Sequence, residues 1–255
     1  MKSALLCVSF GTSVPDARKS ITAVEEALCA QMPDADFFRA FTSKTIRRIL
    51  ARNGENVWSM EEALAHLSAD GYDRVVIQPT HFLYGLEYER LKAGAEEAKT
   101  RFSELLLGTP LLSCTDDLQT MARVLSEAFS PKENTALVLM GHGTSHFSNV
   151  VYPAIQAVFH MMGRKDVYVG TVEGWPDIDM VCGQLREGAY THVRTVPFML
   201  VAGDHALNDM AGDEADSFKS ILTQQGYEVE CVLQGLGMLS GVQELYCRHL
   251  SSLLK

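Results

Sequence analysis

Two histidines and two glutamates stand beside glycines, each shortly after an apolar run. His142 lies in GHGTSH, His205 in AGDHALND, Glu173 in TVEGW and Glu87 in YGLEYE. Glycine allows a loop backbone to approach a ligand closely or to adopt a positive φ. Two imidazoles and two carboxylates suit a divalent metal ion of intermediate softness, such as Co²⁺, Ni²⁺, Fe²⁺ or Zn²⁺. Metal chemistry is therefore the first prediction from these residues.

Each of the four residues also has a structural interpretation. A single histidine at a strand end is often a hydrogen-bonded structural residue, and a helix N-terminus favours an acidic residue such as Glu87 in any case. The acidic residues near His205 are interpreted as a solvated loop and a helix start. They are Asp204, Asp209, Asp213, Glu214 and Asp216.

The segment that contains His142, LVLMGHGTSH at residues 137–146, has a near copy at the N-terminus that carries no histidine. LLCVSFGTS, residues 5–13, ends in a Gly-Thr-Ser that matches the Gly-Thr-Ser of the later segment, with Phe10 standing where the later segment has His142. If the two segments are copies, one copy has kept an imidazole and the other an apolar ring. This pattern predicts an asymmetric site with one metal-binding side and one apolar side.

A basic run, TSKTIRR at 42–48, follows a predicted strand and is expected to begin a helix. A helix N-terminus together with cationic side chains binds carboxylate or phosphate groups. Lys44 and Arg47 are therefore candidates for holding an anionic substrate. A solvated helix face is the alternative for Arg47 and Arg48.

Composition limits the classes of protein that the chain can belong to. Of 255 residues, 47% are apolar and 21% charged, so a sizeable core is expected. The net charge of −10 argues against nucleic acid as a partner and requires a local basic patch for any anionic substrate. There is no leader pattern and no apolar stretch long enough for a membrane span, which predicts a cytoplasmic protein. Six scattered cysteines without a C-x-x-C pair are expected to be reduced thiols.

Short apolar strands alternate with amphipathic helices, which predicts parallel βαβ units. A polar, proline-containing link at 130–135 divides the series, and the pattern then restarts. The predicted fold class is α/β, with two similar Rossmann-like lobes at 1–130 and 131–255, each a parallel sheet flanked by helices. The predicted strands are 4–10, 35–41, 74–80, 105–112, 136–140, 166–173, 192–200 and 228–234.

The restart is interpreted as an internal repeat that superposes residues 3–112 on 135–239. Asp36 aligns with Asp166, which sets Ser43 opposite Glu173. Pro79 and Gly85 align with Pro197 and Gly203, which sets Glu87 opposite His205. Ligands of open parallel sheets bind beyond the carboxyl ends of the strands. The repeat therefore predicts that all four candidate residues lie at such ends.

The chain resembles the anaerobic sirohydrochlorin cobalt chelatases, which are class II chelatases related to ferrochelatase. The stretches that carry the resemblance are LLCVSFGTS, FRAFTS, GLEYE, LMGHGTSH, VEGWPDID and PFMLVAGDHALNDM. The resemblance implies the class II chelatase fold with a tetrapyrrole cleft between the lobes. It implies ATP-independent insertion of Co²⁺ into sirohydrochlorin in anaerobic cobalamin biosynthesis, with Fe²⁺ or Ni²⁺ as alternative metals.

The resemblance also assigns roles to residues. His142, His205, Glu87 and Glu173 match the active-site residues of the family, with His142, Glu173 and His205 expected on the metal ion. Sirohydrochlorin carries eight carboxylates, and the residues expected to contact this substrate are Phe10, Thr12, Ser13, Lys44 and Arg47.

Other functions remain open at the level of the sequence. A ferrochelatase for sirohaem, another tetrapyrrole chelatase, a metallohydrolase, or a non-catalytic metal or haem carrier could use the same histidines. The expected partner is the tetrapyrrole, with no nucleic acid and no membrane. The sequence leaves the oligomeric state open, and a homo-oligomer is one of the options.

Overall fold

A computed structural model describes residues 2–255. Within that range, the central apolar runs become strands that are buried almost throughout, as in a parallel sheet covered on both faces, whereas the edge strands at residues 104–107 and 228–231 are only partly buried. The strands are β1 Ser3–Ser9, β2 Asp36–Phe41, β3 Arg74–Pro79, β4 Glu104–Leu107, β5 Thr135–Gly141, β6 Val167–Thr171, β7 His192–Pro197 and β8 Glu228–Cys231. The helices are α1 Pro15–Cys29, α2 Lys44–Arg52, α3 Met60–Ala69, α4 Leu86–Ala98, α5 Thr115–Ala128, α6 Val151–Met161, α7 Ile178–Leu185, α8 Phe218–Gln224 and α9 Ser240–Leu253.

The strands form two four-stranded sheets in which every pairing is parallel. The first sheet has the order β2-β1-β3-β4 and the second the order β6-β5-β7-β8. The two orders are equivalent: in each sheet, the second, first, third and fourth strand along the chain lie side by side in that order. The predicted α/β fold class with two parallel sheets flanked by helices is confirmed.

The chain divides into two compact units whose limits differ from the predicted lobes at 1–130 and 131–255. One unit runs up to Ser113 and also contains Val242–Lys255, and the other is Cys114–Gly241. Helix α5 therefore groups with the second sheet and most of α9 with the first.

A long-range hydrogen bond links each of these two helices, or its end, to the unit with which it groups. The buried guanidinium of Arg164, which follows α6, donates to the carbonyl of Phe129 at 3.0 Å, just beyond the end of α5. The fully buried Tyr246 of α9 donates its hydroxyl to the carbonyl of Thr80, after β3, at 2.6 Å. Neither contact leaves a pattern in the sequence.

The two sheets share their register as well as their strand order. Val8 of β1 lies opposite Pro79, and Met140 of β5 lies opposite Pro197. These prolines are the two that the repeat aligns. A proline cannot donate a hydrogen bond to a neighbouring strand, and β3 and β7 each end at this proline. The register agrees with the predicted repeat.

The residues that follow β1 and β5 also hold equivalent backbone positions. The N–H of Ser43 donates to the carbonyl of Phe10 at 3.2 Å, and the N–H of Glu173 donates to the carbonyl of His142 at 2.7 Å. Phe10 therefore occupies in the first unit the backbone position that His142 occupies in the second. At this equivalent position one unit carries a phenyl ring and the other an imidazole.

All six cysteines are free. Cys7 and Cys182 are buried, whereas Cys114 is exposed. Burial raises the pKa of the Cys7 thiol well above its usual range, which keeps this thiol protonated. No helix within residues 2–255 combines the length and the apolar character that crossing a membrane requires.

Candidate metal centre

His142, Glu173 and His205 come together in the second unit. His142 directly follows β5, Glu173 lies two residues after β6, and His205 lies in a helical turn after β7. Since β5 is flanked by β6 and β7, the three residues leave the carboxyl ends of adjacent parallel strands. This is the edge at which open parallel sheets bind ligands.

One ligand atom from each of the three residues lies within 4.8 Å of the others. The rings of His142 and His205 meet edge to face with centroids 4.6 Å apart, and Nδ1 of His142 lies 4.0 Å from Oε2 of Glu173. Two atoms that bind one divalent ion at about 2.1 Å each cannot be more than about 4.2 Å apart. The separations of the three candidate ligand atoms are therefore close to this limit.

Three protein ligands leave coordination positions open on a divalent ion, as is usual at sites where metal chemistry occurs. The side chains of His142, Glu173 and His205 are 44%, 60% and 35% exposed, so an ion held by them would meet solvent on one side. An ion held in this way is accessible to a fourth ligand from outside the protein.

Nδ1 of each histidine already has a hydrogen-bond partner. Nδ1 of His142 lies 2.9 Å from the carbonyl of Gly143, and Nδ1 of His205 lies 2.7 Å from Oδ2 of Asp209. Both partners only accept, so each Nδ1 carries the proton and each Nε2 carries the lone pair. In this tautomer Nε2 of each ring is the nitrogen that has a free lone pair for a ligand bond.

Two loops cross at glycines beside the site. Gly143 has a φ of +84°, and a Cβ built on it would lie 2.5 Å from the backbone nitrogen of Gly174. Asn149 joins the loops, because its Oδ1 accepts from the N–H of Thr144 at 3.0 Å and its Nδ2 donates to the carbonyl of Trp175 at 2.5 Å. The loop that carries His142 therefore holds the loop that carries Glu173.

Gly143→Ala is expected to weaken Co²⁺ binding and to lower stability by about 1–3 kcal/mol. An alanine at positive φ is strained, and its Cβ would displace the backbone of Glu173 and Gly174. Co²⁺ titration by calorimetry and thermal unfolding measure the two effects. Gly183→Ala is the matched control, because Gly183 lies in α7 and nothing lies within 4 Å of its Cβ position. This replacement is expected to raise the free energy of unfolding by at most about 1 kcal/mol. Unchanged Co²⁺ affinity in Gly143→Ala would contradict the expected coupling of the loops.

Glu87 belongs to the first unit, in the first turn of α4. Its carboxylate forms an ion pair with Arg90 at 2.6 Å. The repeat places Glu87 and His205 at the same distance after equivalent prolines, yet Glu87 stands on a regular α-helix and His205 precedes a π-helical turn. The role of Glu87 in catalysis stays a prediction.

The other predicted substrate contacts also lie in the first unit. Phe10 is 52% exposed, as a residue that meets a ligand must be. Thr12 is buried, and its hydroxyl accepts from the N–H of Val14 at 3.2 Å, so this side chain shapes the loop from within. Ser13 is half-buried.

Lys44 and Arg47 line a pocket of about 510 Å³ together with Arg48, Trp58 and Glu62. Ser43 caps α2 by accepting from the N–H of Ile46 at 3.3 Å, so the predicted helix start is correct. Arg47 forms an ion pair with Glu62 at 3.0 Å, while its buried Nε has no hydrogen-bond partner among residues 2–255. The exposed cations of this pocket are thus available to an anion.

Asp209 is the residue of the site that sequence reasoning missed. The sequence predicts a solvated acidic residue at this position, whereas the carboxylate of Asp209 accepts from Nδ1 of His205. Its spacing of four residues from His205 was the one signal available. Asn149 and Tyr152 were also missed; the Tyr152 hydroxyl accepts from the N–H of Gly143 at 3.2 Å, and burial raises the Tyr152 pKa.

Fold and site together define the class of protein. Two parallel sheets of the same strand order, with two histidines and a glutamate at the carboxyl end of one, are the class II chelatase fold. The solved structure of SirB from Bacillus subtilis with Fe³⁺ matches with a TM-score of 0.69 and 16% identity, over 99% of this chain and 95% of that one.

The chain belongs to the cobalt chelatase (CbiK) family, whose model matches residues 3–255. It is 40% identical over 259 residues to the sirohydrochlorin cobaltochelatase of Salmonella typhimurium, and the alignment covers 100% of this chain and 97% of that protein. It is 29% identical over 255 residues to the sirohydrochlorin cobaltochelatase CbiKC of Nitratidesulfovibrio vulgaris, with 98% and 90% covered.

Proposed function

We propose that this protein inserts Co²⁺ into sirohydrochlorin without ATP, in the anaerobic synthesis of cobalamin. The observation that carries the proposal is the convergence of His142, Glu173 and His205 at adjacent strand ends in a member of the cobalt chelatase family. The names of two full-length relatives support the choice of metal and substrate.

The site suits a metal that is to be handed over. Insertion replaces the protein and water ligands of the ion with four ring nitrogens, and two pyrrole N–H protons leave in exchange. Three ligands with open positions hold Co²⁺ while nitrogens of the ring enter from the solvent side. A neutral imidazole or a carboxylate can accept the departing protons, and Glu87 is one candidate for this role.

The substrate is strongly anionic and the protein has a net charge of −10, so docking needs a local attraction. The pocket at the start of α2 supplies Lys44, Arg47 and Arg48 for the carboxylates. Phe10 supplies an exposed ring for the face of the macrocycle, and the loop of Thr12 and Ser13 supplies polar backbone groups.

Anaerobic insertion assays with the purified protein test the proposal. Sirohydrochlorin and protoporphyrin are each offered with Co²⁺, Fe²⁺ or Ni²⁺ in the absence of ATP, and the change in the absorption spectrum is followed over many turnovers. Multiple turnovers with Co²⁺ and sirohydrochlorin are the expected result. A preference for Fe²⁺ would instead identify a sirohaem ferrochelatase, and tight metal binding without turnover would identify a carrier.

Lys44→Met combined with Arg48→Met is expected to raise the KM for sirohydrochlorin about tenfold while leaving kcat nearly unchanged. Two partly solvated charge contacts are worth about 1–2 kcal/mol together, and they act before the chemical step. Arg52→Met combined with Arg101→Met removes the same charge from exposed positions of the first unit that do not line the pocket. An equal rise in KM in that control would show that net charge, rather than the pocket, governs docking.

The location and the oligomeric state stay predictions. A cytoplasmic protein and a homo-oligomer are compatible with the proposed reaction. Fractionation of cells and the mass in solution measure them directly.

A further inference from the structure

A carboxylate stands directly behind one of the two histidines of the metal centre. Oδ2 of Asp209 accepts from Nδ1 of His205 at 2.7 Å, and both side chains are only partly exposed. A hydrogen bond to a carboxylate is shorter and stronger than one to a neutral acceptor. His205 is therefore held in one tautomer and one ring orientation, with Nε2 directed away from Asp209.

A π-helical turn places Asp209 in this position. His205 immediately precedes the turn Ala206–Met210, which is closed by a bond from the N–H of Ala211 to the carbonyl of Ala206 at 3.2 Å. That bond spans five residues, so the turn is wider than an α-helical turn. π-helical turns are rare and frequently occur at functional sites. Ala206 and Met210 are fully buried and fix the turn to the core of the second unit.

The two histidines of the centre differ in what supports them. Nδ1 of His142 has the neutral carbonyl of Gly143 as its partner, at 2.9 Å. The partner of Nδ1 of His205 is instead the carboxylate of Asp209. Counted from the aligned pair Glu87 and His205, the first-unit equivalent of Asp209 is Leu91, which is buried in the core. The carboxylate therefore belongs to the metal-binding unit alone.

We propose that Asp209 is a positioning residue that orients Nε2 of His205 toward the metal ion, makes this imidazole the stronger donor of the pair, and so sets the affinity for Co²⁺. Carboxylates that support a metal-binding histidine typically alter metal affinity by 10–100-fold. His205 is then the ligand that retains the ion longest, and His142 is the one that releases it first. The inference uses the metal centre of the proposed function, but it concerns metal binding and not insertion.

Three variants with the metal alone test the inference. Asp209→Ala removes the acceptor and its charge, and is expected to weaken Co²⁺ binding about 10–100-fold in calorimetric titrations. Asp209→Asn keeps an oxygen acceptor without the charge, and is expected to lie between Asp209→Ala and the parent. Asp204→Asn is the matched control, because Asp204 directly precedes His205 and, among residues 2–255, its carboxylate accepts from the side chain of Asn208 and has no bond to His205. Its Co²⁺ affinity is expected to equal that of the parent.

Kinetics distinguishes positioning from a structural role. Asp209→Asn is expected to raise the KM for Co²⁺ and to leave the KM for sirohydrochlorin unchanged, with thermal unfolding close to that of Asp204→Asn. Parent-like Co²⁺ affinity in both Asp209 variants, or equal losses in Asp204→Asn, would overturn the inference. If the parent binds Co²⁺ but does not metallate sirohydrochlorin, the proposed function fails, while the dependence of Co²⁺ binding on Asp209 still decides the inference.

Discussion

Replacing His205 by alanine is expected to abolish metal insertion while the protein remains folded. The imidazole is one of three candidate ligands that lie within 4.8 Å of one another, and its Nδ1 is hydrogen-bonded to a carboxylate. Its removal deletes a ligand outright, so the loss of turnover should exceed the ~100-fold upper range that follows loss of a supporting group. The side chain is 35% exposed, so truncation leaves no sealed cavity.

Turnover and thermal unfolding must be measured on the same preparation. His192→Ala is the control, since His192 lies in β7 of the same unit and its ring pairs with Glu228 at 3.0 Å, away from the metal centre. The control is expected to retain full turnover. Near-normal turnover in His205→Ala would show that His205 is not a ligand of the metal ion. Loss of folding in this variant would show that His205 has a structural role.

Replacing His142 by alanine is expected to weaken Co²⁺ binding and to suppress turnover, with a smaller loss of affinity than in His205→Ala. The reason is that His142 is supported by a neutral carbonyl and His205 by a carboxylate. The combined variant should lose little more turnover than His205→Ala alone, because residues that act as one unit are not additive. Calorimetric titration with Co²⁺ and steady-state rates measure both quantities.

The internal repeat provides a matched control for His142. Phe10 occupies the equivalent backbone position in the first unit, with the same hydrogen bond from the residue that follows the neighbouring strand. Phe10→Ala is expected to leave Co²⁺ affinity unchanged and to raise the KM for the tetrapyrrole. If Phe10→Ala and His142→Ala weaken Co²⁺ binding equally, the effect arises from the loop backbone and His142 is not a ligand.

Much of the fold could be predicted because it depends on local patterns. Apolar runs such as LLCVS and ALVLM become strands that are buried on both faces, and the repeat of prolines and glycines predicted their register. The strand ends were less accurate: the predicted strand 105–112 stops at Leu107, and 192–200 stops at Pro197. Apolar residues continue past both points, and periodicity alone does not distinguish a buried loop from a strand.

The metal centre could be predicted in part for the same reason. His142, Glu173 and His205 each follow a strand directly or within one loop, and parallel strands bring their carboxyl ends to a common edge. The sequence by itself therefore determined which strand ends carry the candidate ligands and which residue of the first unit replaces each.

Only the tertiary structure decided the support of the site and the composition of the units. Asp209 looks like a solvated acid in the sequence, and a π-helical turn, which has no sequence signature, turns it onto His205. The grouping of α5 and α9 is accompanied by hydrogen bonds of Arg164 and Tyr246 to residues far away in the chain. Periodicity reports which face of an element is buried, but long-range side-chain contacts are specified by the folded geometry, so these features became visible only in three dimensions.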